Sequence, residues 1–91
     1  MQQGVIDNAE LGRFELAVDG QTVFADYNRQ VGRLTITYVY APPALRGSGA
    51  AGRLMRGALE LARAEGVKVT PVCPYARVWM ARHPEFGDLL A

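Results

Sequence analysis

The chain has 91 residues, room for one hydrophobic core, and it reads as a single domain spanning residues 1–91. Nearly half of the residues are hydrophobic, about a fifth are charged, and the net charge of +1 excludes the basic footprint of a nucleic-acid-binding protein. One cysteine and one histidine exclude a disulfide framework and a zinc-ligand set, no apolar run reaches a membrane span, and the opening MQQGVIDNAE has no leader pattern, so a cytoplasmic protein without metal is expected.

Phe14, Leu16 and Val18 alternate with Glu15 and Ala17, Asp19-Gly20 supplies a tight turn, and Val23, Ala25 and Tyr27 alternate again, which predicts an antiparallel hairpin. A second turn is expected over residues 28–32. The stretch RLTITYVYA follows as a third strand, with Leu34, Ile36, Tyr38 and Tyr40 on one face and Thr35, Thr37 and Val39 on the other. Pro42 and Pro43 end it near Ala41, because neither can donate to a sheet ladder.

From Ala50 to Glu65 the period changes. Ala51, Leu54, Met55, Ala58, Leu59, Leu61 and Ala62 form a helical stripe, Arg53, Arg56, Glu60 and Arg63 lie largely off it, and Gly66 is placed to close the helix in the left-handed conformation. VKVTPVC predicts a short strand reaching Cys73. Pro74 suits the first turn of a second helix, PYARVWMARH, which Pro84 ends. Three antiparallel strands, a helix, a strand parallel to the third, and a C-terminal helix make an α+β fold.

The joint APPALRGSGAAGRLM concentrates two prolines and three glycines ahead of the first helix. The opening amides of a helix lack internal partners and leave partial positive charge there. Gly47 and Gly49 would let the backbone curl around a phosphate, Ala51 permits close approach, and Arg46 adds a charged fork, so a pyrophosphate fits this joint. The bland alternative is a tight turn that holds nothing. The loop has no lysine followed by serine or threonine, and it does not open a parallel dinucleotide-binding sheet, which excludes those two phosphate loops.

Arg46, Gly49 and Ala51 satisfy the pattern of Arg or Gln, two residues, Gly, one residue, Gly or Ala, and here the chain resembles the GCN5-related N-acetyltransferases, whose coenzyme A pyrophosphate loop carries that signature. The proline pair, the Pro-x-Cys-Pro run at Pro71 to Pro74 and the His-Pro-Glu run at His83 to Glu85 extend the resemblance, from about Asp7 to Leu90, to the minimal single-domain branch of that family. The resemblance implies acetyl-CoA as a small-molecule acyl donor, held at the phosphates by Arg46, Gly47, Ser48, Gly49, Ala50 and Ala51. It implies backbone contacts from Val39, Tyr40 and Ala41 to the pantetheine arm, and an amine as acceptor.

Cys73, at a predicted strand end beside a helix start, is the first candidate for chemistry, either taking the acetyl group or protonating the departing thiolate; its alternative is a small buried hydrophobe. Tyr75 is the second candidate acid, its alternative an aromatic packed on the sheet. His83, the one side-chain type that changes charge near neutrality, stands at the far end of its helix and reads as a cap, and Val78, Trp79 and Arg82 read as packing. Many relatives of this branch carry His-Thr-Glu-Val-Pro where this chain has Tyr38-Val39-Tyr40-Ala41-Pro42, so the resemblance implies that Tyr38 and Tyr40 replace the imidazole and carboxylate that could deprotonate an amine. Three functions follow: an acetyl-CoA-dependent N-acetyltransferase with an open, shallow acceptor side, a coenzyme A or acyl-CoA binding module without turnover, and an interaction domain whose loop is empty.

Overall fold

The computed structural model describes residues 4–91. Five strands form one sheet in sequential order: β1 (Ile6–Asn8), β2 (Arg13–Val18), β3 (Gln21–Gln30), β4 (Arg33–Tyr40) and β5 (Lys68–Pro71). The first four pair antiparallel, and β5 lies parallel to β4 across the crossover helix α1 (Ala50–Glu65). Helix α2 (Pro74–Ala81) and a 3-10 segment (Pro84–Leu89) complete the chain. Among the described residues no helix is long and apolar enough to cross a membrane.

The α+β class expected from the sequence is observed, but the expected three antiparallel strands are four, because the short β1 precedes them; Asp19 and Gly20 are both at positive φ in the turn between β2 and β3. Gly66 closes α1 at φ 81°, its amide reaching the carbonyls of Ala62 and Arg63. One continuous core joins Phe14, Leu16, Val23, Ala25, Leu34 and Ile36 of the sheet to Leu54, Met55, Ala58 and Leu59 of α1 and to Ala76 and Met80 of α2.

Four further expectations need correction. The second turn is only Val31-Gly32, because β3 runs to Gln30 and pairs it with Arg33; cross-strand pairing overrides the weak strand preference of Asn28. The fifth strand is shorter than VKVTPVC, since the amides of Val72 and Cys73 both turn to the Ile36 carbonyl. Helix α2 stops at Ala81, and Val78 and Arg82 are exposed, leaving Ala76, Trp79 and Met80 as its buried side.

The fourth correction bears on the site. Asp26 pairs with Tyr38 but Tyr27 pairs with Ile36, so Thr37 is an extra residue, a β-bulge that inverts side-chain parity along the rest of β4. Leu34 and Ile36 are fully buried, whereas Tyr38 and Tyr40 turn to the outer face and Val39 packs against the core. The bulge falls where β5 stops pairing, at Ile36↔Pro71, so from Thr37 onward β4 diverges from its neighbour.

The strand β1 ties down the N-terminal part through a polar cluster. The Tyr27 hydroxyl donates to Asp7 Oδ1 at 2.6 Å, and Arg29 pairs with both Asp7 and Glu65. Burial, and next the Asp7 carboxylate, push the Tyr27 phenol above its ordinary value of 10.0. The unfolded chain therefore ionises first as pH rises, and stability from this group is lost from about pH 10 upward through the folded-state value. Tyr27→Phe should cost about 1–2 kcal/mol in denaturant titrations near neutrality, a cost that shrinks in alkaline buffer.

Candidate functional site

The joint between β4 and α1 begins with a short 3-10 turn, Pro43–Leu45, and then leaves regular structure through two glycines at positive φ, Gly47 at 80° and Gly49 at 88°. Gly49 is the N-cap of α1 and supplies no side-chain cap. Three amides of the loop are used internally: Arg46 donates to Pro43, Ser48 to Leu45, and Ala50 to the Ser48 hydroxyl oxygen. The amides of Gly47, Gly49, Ala51 and Gly52 have no acceptor among the described residues. The loop thus alternates between amides that hold its shape and amides that remain available.

The loop residues expected at the phosphates accordingly fall into two groups. Gly47, Gly49 and Ala51 present free donors, while Ser48 and Ala50 contribute the turn: the Ser48 hydroxyl donates to the Leu45 carbonyl at 2.5 Å and accepts from Ala50. Arg46 Nε donates to the Ala41 carbonyl at 2.9 Å, and its guanidinium lies over the Tyr40 ring, which leaves its terminal nitrogens uncommitted at the mouth of the loop.

A cavity of about 270 Å³ opens at this end of α1, lined by Gly49, Gly52, Arg53 and Arg56 from α1 and its cap and by Trp79 and His83 from the other side. Gly52 allows the approach. A Cβ there would stand 3.3 Å from Trp79 Nε1, so that the indole would have to give by a few tenths of an ångström, and in ordinary contact with the Tyr75 hydroxyl at 4.0 Å. Trp79 is held by stacking on His83, with ring centroids 3.6 Å apart, and by the Arg56 guanidinium 5.7 Å from its ring. His83 donates from Nδ1 to the Trp79 carbonyl at 2.7 Å, the capping role expected for it, but it also faces the cavity.

Of the two candidate proton donors, the structure puts only Tyr75 beside this cavity. Its side chain is 43% exposed, and burial of the hydroxyl end pushes its phenol above the ordinary value of 10.0, so it keeps its proton at neutral pH. Cys73 is buried in the core at the N-cap of α2. Val39, Tyr40 and Ala41 lie on the stretch of β4 and its exit beyond the last pair with β5. On the outer face of that stretch Tyr38 and Tyr40 cluster with Phe24, whose ring carries the Arg13 guanidinium at 4.4 Å.

Gly52, Arg53, Arg56 and the cavity-facing role of Trp79 were not identified from the sequence as site residues. One signal was available: three arginines, Arg46, Arg53 and Arg56, crowd the start of a helix whose first turn has no acid, where the helix dipole disfavours cations.

A family model described as GCN5-related N-acetyl-transferase matches residues 13–89. Among solved structures, the solution structure of a GCN5-like protein from Staphylococcus aureus resembles this chain with a TM-score of 0.66 at 16% identity, covering 88% of this chain and 81% of that one. At that identity the likeness concerns the fold. Comparison with the curated proteins gives no match.

Proposed function

This chain belongs to the GCN5-related N-acetyltransferases, and on that footing we propose that residues 1–91 form one acetyl-CoA-dependent domain that acetylates an amine, on a small molecule or a protein. The observation that carries this reading is the row of unpartnered amides at Gly47, Gly49, Ala51 and Gly52, opening beside a cavity walled by arginines. Such amides at a helix start suit a diphosphate, and a cationic wall suits nothing neutral. Bound coenzyme A would supply the acetyl group as a thioester.

Each remaining task falls to this chain's own residues. Arg46 and the free amides hold the diphosphate. Main-chain groups of Val39, Tyr40 and Ala41, on the segment without a β5 partner, bind the amides of the pantetheine arm as an added strand would, and an N–H there steadies the developing oxyanion. A C–N bond forms to the neutral amine and the C–S bond breaks; the departing sulfur takes the Tyr75 proton and the surplus amine proton passes to water. Tyr38 and Tyr40, facing outward where many relatives of the minimal branch have histidine and glutamate, line the acceptor side without supplying a base.

That substitution favours a second reading, a coenzyme A or acyl-CoA binding module with little turnover. Calorimetric titration with acetyl-CoA, followed by thiol release across a panel of amines, separates the two. We expect saturable binding and amine-dependent release; binding without release supports the module, and no binding removes both. Arg46→Ala should weaken binding about tenfold, the value of one charge-assisted hydrogen bond at a partly exposed site.

A further inference from the structure

The two helices cover one face of the sheet and leave the other bare. Leu54 and Met55 of α1 and Ala76 and Met80 of α2 join the same core as Phe14, Leu16, Val23 and Ala25, so the alternate residues of β2 and β3, and those of β4 beyond its bulge, face away from both helices. They stand in two rows across the strands, Arg13, Asp26 and Tyr38 in one and Glu15, Phe24 and Tyr40 in the next.

The charges on this face do not cancel where the ladder would let them. Arg13 lies directly across from Asp26, yet its Nε donates to Glu15 at 2.6 Å and its guanidinium covers the Phe24 ring at 4.4 Å. Glu15 also accepts from Asn8, and the Tyr40 ring carries the Arg46 guanidinium. What remains is the Asp26 carboxylate, half-buried and without a hydrogen bond or ion pair among the described residues, across the ladder from a Tyr38 ring that is 48% exposed and has no cation over it. A carboxylate beside a bare aromatic face suits a cation.

That cation is not the reacting nitrogen, which must be neutral to attack a thioester. Asp26 is one strand in from β4, whose other edge loses β5 after Ile36. With strands about 5 Å apart, a group at Asp26 lies about 5–10 Å from that gap, the reach of a chain of about four methylene groups between two nitrogens.

We propose that the acceptor is an aliphatic diamine, whose second, protonated nitrogen rests on Asp26 and the Tyr38 ring while its first, neutral nitrogen takes the acetyl group. This inference rests on the acetyltransferase reading given above. The C–N bond forms at the neutral nitrogen as the C–S bond breaks, its surplus proton passes to water, the sulfur takes the Tyr75 proton, and the second nitrogen keeps its charge throughout.

The test compares diaminobutane with butylamine on the native chain, Asp26→Asn, Asp26→Glu and Tyr38→Leu, by kcat/KM for thiol release from acetyl-CoA and by calorimetric titration of the chain saturated with coenzyme A. One nitrogen of a diamine is the weaker base because the other's charge opposes its protonation, so the deciding quantity is the diamine-to-monoamine ratio of each variant against the native ratio. Asp26→Asn should lower that ratio about tenfold in both measurements, and Tyr38→Leu about threefold. Asp26→Glu, which keeps the carboxylate, should retain most of it. A ratio that Asp26→Asn leaves at its native value overturns the inference and leaves the acetyltransferase reading intact. So does a coenzyme A-bound native chain that takes up neither amine. Failure to bind acetyl-CoA overturns both.

Discussion

Gly52→Leu is expected to weaken acetyl-CoA binding by about a hundredfold while the chain stays folded with a melting temperature within a few degrees of the native value. The reason lies in what Gly52 leaves empty. It sits in the first turn of α1, where a Cβ would already stand 3.3 Å from Trp79 Nε1 and 4.0 Å from the Tyr75 hydroxyl. A leucine side chain extends past both into the cavity of about 270 Å³, covering the Gly52 amide and separating the loop from Trp79 and His83. Removing two charge-assisted hydrogen bonds to the donor, each worth about 1.5 kcal/mol, accounts for the hundredfold change.

Stability responds differently because Gly52 has helical backbone and no packing of its own to lose. Leucine favours a helix over glycine by about 0.5–1 kcal/mol, which offsets the displacement of Trp79. Gly52→Ala needs the indole to yield by only a few tenths of an ångström, so it should cost less than tenfold in affinity. Thermal melts beside calorimetry check both variants. Full affinity in Gly52→Leu would mean that the donor does not lie between α1 and α2.

The parts of this fold legible in the sequence are those governed by neighbours in the chain. Asp19-Gly20 between two alternating runs, the apolar stripe from Ala51 to Ala62, Gly66 at its end and Pro74 at the start of α2 each announce themselves within a few residues. The glycine loop does so too, and its free amides follow from helix geometry alone. The three-residue strand β1 is too short to show alternation, and its place depends on pairing with β2.

What stayed hidden depends on neighbours across the sheet or between helices. Strict alternation in RLTITYVYA puts Tyr38 and Tyr40 inside with Leu34 and Ile36, and nothing local marks Thr37 as the extra residue. Its insertion is set by pairing against Asp26 and Tyr27, and it decides that the two tyrosines face outward while Val39 faces the core. The cavity is equally non-local. Arg53 and Arg56 on one helix meet Trp79 and His83 from another part of the chain only because Gly52 lets them approach.

Tyr75→Phe is expected to lower kcat about a hundredfold with donor affinity changed less than twofold, the range for removing a general acid. The hydroxyl has no hydrogen-bond partner among the described residues and is half-exposed beside the cavity, so its loss should cost the fold little. Its pKa is raised by burial, which keeps it a proton donor throughout the neutral range. The sign of the pH effect follows: native kcat falls as pH rises through that elevated value, because the ionised phenol has no proton to give the departing sulfur. Tyr75→Phe should lack this alkaline fall. The companion variant is Cys73→Ala, which trades a buried thiol for a small void at the N-cap of α2 and should lower thermal stability by about 1 kcal/mol. If kcat collapses in Cys73→Ala and survives in Tyr75→Phe, the proton comes from the core thiol, and the chain must open around the buried Cys73 to reach it.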